Sequence, residues 1–139
     1  MLQNIQNRRG GFTLVEIMIV VAIIALLAAI AVPNFLRARK RSQATRVLED
    51  LRILDSATDQ YAIENNKTSG AGANLTDLKN YIKTGTVLYT TGADIFGDTY
   101  GAGSSGGTFT VDSLPNVPQA AWLTLSDVAP NTFWSPYHN

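Results

Sequence analysis

Gly10-Gly11-Phe12-Thr13-Leu14-Val15-Glu16 opens a run that continues as IMIVVAIIALLAAIAVPNFL to Leu36, and the reading of this stretch decides the fold. Glu16 is the single ionisable side chain between Phe12 and Leu36. A helix of 25 mostly apolar residues is long enough to span the ~30 Å hydrocarbon layer of a bilayer. A carboxylate in such a helix costs roughly 2.5–3.5 kcal/mol at the bilayer centre, and less toward the interface. A plain anchor gains nothing from that cost, so the working form of the protein has to supply Glu16 with a partner.

Outward from this run, the charge of the chain is segregated. The net charge of zero conceals Arg8 and Arg9 before the run, and then Arg37, Arg39, Lys40, Arg41 and Arg46 directly after it. Beyond residue 46, four basic residues face ten acids. A chain that is basic beside its apolar segment and acidic in its remainder lacks the basic folded surface of a nucleic-acid-binding domain. There are no cysteines, which excludes disulfides and thiolate metal sites. At 139 residues the chain accommodates an anchor and one small domain.

Three mechanisms account for a basic leader before an apolar helix. A secretory signal peptide would use Ala29-Ile30-Ala31 as its cleavage site, but its apolar segment would exceed the usual 7–15 residues and Glu16 would have no purpose. A permanent anchor also leaves Glu16 unexplained, and the five positive charges after the helix oppose the positive-inside rule. The third is a signal cut before the apolar run, so that the helix stays with the product.

Gly10 to Glu16 closely resembles the cleavage and methylation motif of type IV pilins and type II secretion pseudopilins. The likeness continues through Pro33 and Asn34-Phe35-Leu36-Arg37-Ala38-Arg39, covering about the first 55 residues. It implies cleavage after Gly11 by a prepilin peptidase and methylation of the new amino terminus at Phe12. In filament assembly, Glu16 would pair with the Phe12 ammonium of a neighbouring subunit. The other reading of Glu16, compatible with the first, is an intrahelical cap, the carboxylate favouring the positive end of its own helix dipole, a contribution of about 0.3–1 kcal/mol.

Pro33 is expected to kink or locally melt the helix near residues 29–33. The resemblance implies partners: further copies of the chain in a homopolymer, the membrane before assembly, an inner-membrane assembly platform and its ATPase. No nucleic-acid partner is expected. The implied location is the bacterial inner membrane as a single-pass protein, then a periplasmic or extracellular filament. The competing class is a non-polymerising, anchored or secreted binding module with a conventional signal.

Past the run, Ala44, Val47, Leu48, Leu51, Leu54, Thr58, Tyr61 and Ala62 recur at helical spacing, predicting one helix from about Thr13 to Asn65. The basic stretch 37–46 reads as headgroup contact, with Asp50, Asp55 or Asp59 of neighbours as second targets. The expected organisation is a leader (1–11), a membrane and filament-core helix (12–36), an amphipathic extension (37–65) and a small head (66–139). The fold class is α+β, the head holding short helices and a small antiparallel sheet. Residues 75–82 and 118–128 read as short helices, TVLYT (86–90) and TFTV (108–111) as β-rich, and the six glycines between residues 92 and 107 as turns. Phe133 to Tyr137 reads as an aromatic tail docked on the core.

Asp94-Ile95-Phe96-Gly97-Asp98-Thr99-Tyr100 is a loosened likeness of the Asp-Pro-Trp-Gly-Asn-Pro-Tyr segment of major pseudopilins. Together with the missing disulfide it tilts the reading from pilus toward pseudopilus. No catalytic constellation is present and no enzyme activity is expected; His138 is the single histidine. No cofactor is expected. Ca²⁺ is the one ion worth weighing, with Asp94, Asp98 and Asp112 as weak oxygen donors, and these acids read better as solvated turn residues.

Overall fold

The computed structural model describes residues 10–101 and 107–137, so Arg8, Arg9 and His138 lie outside the described residues. The order is α1 (Leu14–Glu64), β1 (Gly72–Asn74), α2 (Leu75–Leu78), a 3₁₀ turn (Lys79–Tyr81), α3 (Val87–Thr91), β2 (Thr108–Thr110), α4 (Gln119–Leu125) and α5 (Asn131–Trp134). This is an α+β chain with a long N-terminal helix, short helices and a two-stranded antiparallel sheet. It divides into two compact units, one ending at Leu36 and one beginning at Arg37.

In the first unit, α1 is apolar on every face. Sixteen large apolar side chains between Phe12 and Leu36 are exposed, Phe12 by 85%. Such a surface cannot rest in water and requires lipid or other helices around it. Among the described residues, this is the one helix long and apolar enough to cross a membrane. The helical backbone continues without a break through Pro33. The ring removes one N–H from the ladder. The expected local melting is therefore not seen; a single hydrogen bond is missing from an otherwise continuous helix.

From Arg37 onward α1 becomes amphipathic. Ala44, Val47, Leu48, Leu51, Leu54, Ala57 and Thr58 form a buried stripe on one side of it. Against this stripe pack Leu78, Leu88, Tyr100, Phe109, Ala121, Leu125 and Trp134 in one core. Trp134 is completely buried, and its indole N–H donates to the Ala129 carbonyl at 3.0 Å. The aromatic tail thus fills the core as its sequence suggested, because a buried indole remains satisfied only with such an acceptor. Ala57 belongs to the stripe as well, a small residue whose periodic position the sequence reading passed over.

The sheet is minimal: Gly72, Ala73 and Asn74 pair with Thr110, Phe109 and Thr108. TVLYT, expected to be β-rich, instead forms α3. The Thr86 hydroxyl accepts from the Tyr89 N–H at 3.2 Å, while Thr90 and Thr91 hydroxyls donate back to carbonyls one turn earlier. Gly92 then closes the helix at φ 65°. An N-cap and a left-handed C-cap here outweigh the weak β preference of threonine and valine. At the base of the glycine-rich segment, a Cβ on Gly107 would overlap the Tyr100 carbonyl, so the two strands of chain approach at backbone distance.

Leu51 lies fully buried at the centre of the stripe. Leu51→Ala is expected to destabilise the unit beginning at Arg37 by about 2–5 kcal/mol. Thermal unfolding of the detergent-solubilised chain, followed by near-UV circular dichroism, checks this; an unchanged midpoint would contradict the packing.

Candidate functional site

Gly10 to Thr13 is non-helical and exposed, and α1 begins at Leu14. A side chain built on Gly11 would meet open space, so the Gly11–Phe12 bond stands free of packing just before the helix. An extended, unencumbered peptide is what a protease cleft requires, since a bond locked in a helix must first be unwound.

The first turn explains the posture of Glu16. Its Oε2 accepts from the Thr13 N–H at 2.7 Å and from the Thr13 hydroxyl at 2.8 Å. In return the Glu16 N–H donates to Thr13 Oγ1 at 3.3 Å. This is a reciprocal capping box, Thr-x-x-Glu, satisfying two of the N–H groups that a helix start leaves unpaired. The intrahelical cap expected of Glu16 is thus present, and it rests on Thr13 as well as on the helix dipole; the Thr13-Leu14-Val15-Glu16 spacing is its signal in the sequence. Among the described residues Glu16 has no cationic partner, and Lys40–Asp127, at 2.8 Å, is the one ion pair.

A second set of acids lies on the amphipathic part of α1. Tyr100 donates to Asp50 at 3.0 Å, Tyr137 to Asp55 at 3.4 Å, and Tyr81 to Glu64. Three hydroxyls from the head are thereby fixed to three acids of the helix. Burial pushes the carboxyl pKa of Asp50 and of Asp55 up, against the opposing effect of the tyrosine bonds. Burial also raises Tyr100, with the charge of Asp50 adding to the effect. Asp50 and Asp55, read from sequence as targets for neighbours, are thus engaged within their own chain. Asp59 has no such bond among the described residues.

Asp94 and Asp98 organise a turn. Asp94 Oδ1 accepts from the N–H groups of Phe96 and Asp98 at 2.8 and 3.0 Å, and Asp98 Oδ2 accepts from the Ala120 N–H at 2.9 Å. Asp112 stands apart with φ 63°, in the left-handed region. The structure does not bring these three together, and the described residues contain no cluster of three potential metal ligands.

The matched family description is the prokaryotic N-terminal methylation motif, over residues 6–32. Over this segment the chain is similar to type IV pilins and type II secretion pseudopilins. The type II secretion system core protein G of Aeromonas hydrophila is 32% identical over 75 residues, 54% of this chain and 52% of that protein. The type IV wide pilus major component PilA4 of Thermus thermophilus is 46% identical over 68 residues, 49% of this chain and 52% of that protein. The type IV major pilin protein PilA of Myxococcus xanthus is 45% identical over 62 residues, 45% of this chain and 28% of that protein. The matched part therefore spans about half or less of these pilin and pseudopilin relatives. No solved structure matches.

The acids give a pH dependence with a definite sign. Asp50, Asp55 and Asp94 have raised pKa values, each chiefly through burial, so the folded state binds protons more tightly than the unfolded chain. Their contribution makes stability rise as pH falls from neutral through their folded pKa values toward the ordinary 3.8. Asp127 is lowered by its bond to Lys40, so its contribution is lost only as pH drops below that value. The midpoint of thermal unfolding is expected to increase from pH 7 toward pH ~4 and then to decline. Tyr100→Phe should cost about 1–3 kcal/mol at pH 7, and less as pH falls through the raised pKa of Asp50. Melting curves across this range check both; a midpoint falling steadily from pH 7 would contradict the assignment.

Proposed function

We propose that this pilin-family chain is a structural subunit of a filament, processed by a prepilin peptidase between Gly11 and Phe12 and polymerised through its apolar helix. In this reading the helix first rests in the bacterial inner membrane. An assembly platform and ATPase then extract it into a homopolymer, periplasmic or extracellular. Cleavage creates an ammonium at Phe12, and the new amine is methylated. The head, outside the apolar segment, faces outward.

Glu16 carries the reading. It is a lone carboxylate in an exposed apolar helix, with no cationic partner among the described residues. A partner brought by a neighbour relieves the cost of an unpaired charge in low dielectric, and it does so only in one register. A subunit displaced from that register leaves both charges unpaired. The relatives carry names of both secretion and pilus components, and the Asp94–Tyr100 segment favours the secretion pseudopilus.

Mass spectrometry of the mature amino terminus tests the processing step. Methylated Phe12 is the expected first residue, whereas Val32 would mark a conventional signal peptide and remove the filament reading. Glu16→Ala is expected to be cleaved normally but to lower the yield of sheared filaments about tenfold or more, as loss of a buried charge partner does. Wild-type yield from that variant would remove the pairing argument.

A further inference from the structure

In the unit beginning at Arg37, a cavity of about 1000 Å³ opens between α1 and the segment around α3. Its charged lining is Arg46, Glu49, Asp50 and Asp94, and Ile53 and Val87 contribute apolar surface that is 42% and 58% exposed. Three acids thus face one arginine. Asp94 is only 3% exposed, and its Oδ2 is buried without a hydrogen-bond partner. Asp50 spends Oδ2 on Tyr100, while Glu49 is exposed and makes no side-chain hydrogen bond or ion pair among the described residues. Asp50 and Asp94 repel one another. The site is short of positive charge.

Acids beside exposed aliphatic surface suit an arginine better than a small cation. The methylene stem covers Ile53 and Val87, and the planar guanidinium reaches carboxylates with two parallel bonds. The chain itself carries unused arginines of this kind. Lys40 is bonded to Asp127, Arg37 lies in the field of the same acid, and Arg46 already lines the cavity. Arg39 and Arg41 are exposed, and neither side chain has an acid partner among the described residues.

We propose that the cavity receives Arg39 or Arg41 of a second copy of this chain, making it a contact between subunits additional to the Phe12–Glu16 pair. The inference rests on the filament reading. Glu49 is the residue to test, because its exposed side chain holds no bond among the described residues, so its replacement leaves the fold intact.

The experiment uses the full chain in cells that assemble it. Glu49→Arg is expected to reduce sheared filament yield about tenfold through like-charge juxtaposition, with an unchanged melting midpoint. Combining it with Arg39→Glu or Arg41→Glu in the same chain should restore most of the yield. Because the chain lacks cysteine, Glu49→Cys in one copy and Arg41→Cys or Arg39→Cys in a co-expressed copy should also form a disulfide dimer under mild oxidation. Wild-type yield from Glu49→Arg, loss of yield that neither reversal restores, or cross-linking of Glu49→Cys to a different protein would each overturn the contact. In those cases normal filaments with methylated Phe12 from the unaltered chain leave the filament reading standing; an unaltered chain without either overturns both.

Discussion

An apolar segment with sixteen exposed large apolar side chains cannot be left in water, and this constraint organises the rest of the molecule. Each large apolar group gains about 1.5–3 kcal/mol on leaving water, so the sixteen exposed between Phe12 and Leu36 together demand lipid or other helices. Between those two environments the apolar surface hardly discriminates, since lipid tails are as apolar as leucine. On the proposed reading, moving the helix from membrane to filament is therefore not driven by hydrophobic burial. Packing and polar complementarity have to decide, and Glu16 is the only ionisable side chain in the segment able to supply the latter.

The same helix meets a different solvent after Leu36. There one stripe is buried under the head, while Asp50, Asp55 and Glu64 flank it and accept from Tyr100, Tyr137 and Tyr81. Tyrosine suits this boundary, because its ring extends the apolar core while its hydroxyl meets a carboxylate at the edge. The arrangement orients the head around the helix axis, which apolar packing alone specifies loosely. Its cost is seen in the raised pKa values of Asp50 and Asp55, where burial outweighs the hydrogen bonds.

What could be read from residues alone follows the range of the interactions. Helix α1 and its stripe were legible because their signal repeats every three or four residues over many turns. The aromatic tail was legible from composition. The intrahelical cap at Glu16 was legible from its place in the first turn, and the Thr-x-x-Glu spacing names Thr13 as its partner. TVLYT was misread because its five residues carry weak propensities, and the caps at Thr86 and Gly92 decided the outcome. The partners of Asp50 and Asp55 lie 50 and 82 residues away, a separation at which no local pattern speaks.

The cap at Glu16 and the proposed pairing across subunits are complementary. Both bonds from Thr13 go to one oxygen, Oε2. An ionised carboxylate offers about four lone-pair sites on two oxygens, so a bidentate or second-oxygen contact with an ammonium does not require the cap to open. The cap fixes the rotamer of Glu16 before any partner arrives, and a fixed rotamer loses less entropy on pairing than a free glutamate would. On the proposed reading, Thr13 therefore acts twice. It starts the helix, and it holds the carboxylate ready at the one charged position of the segment.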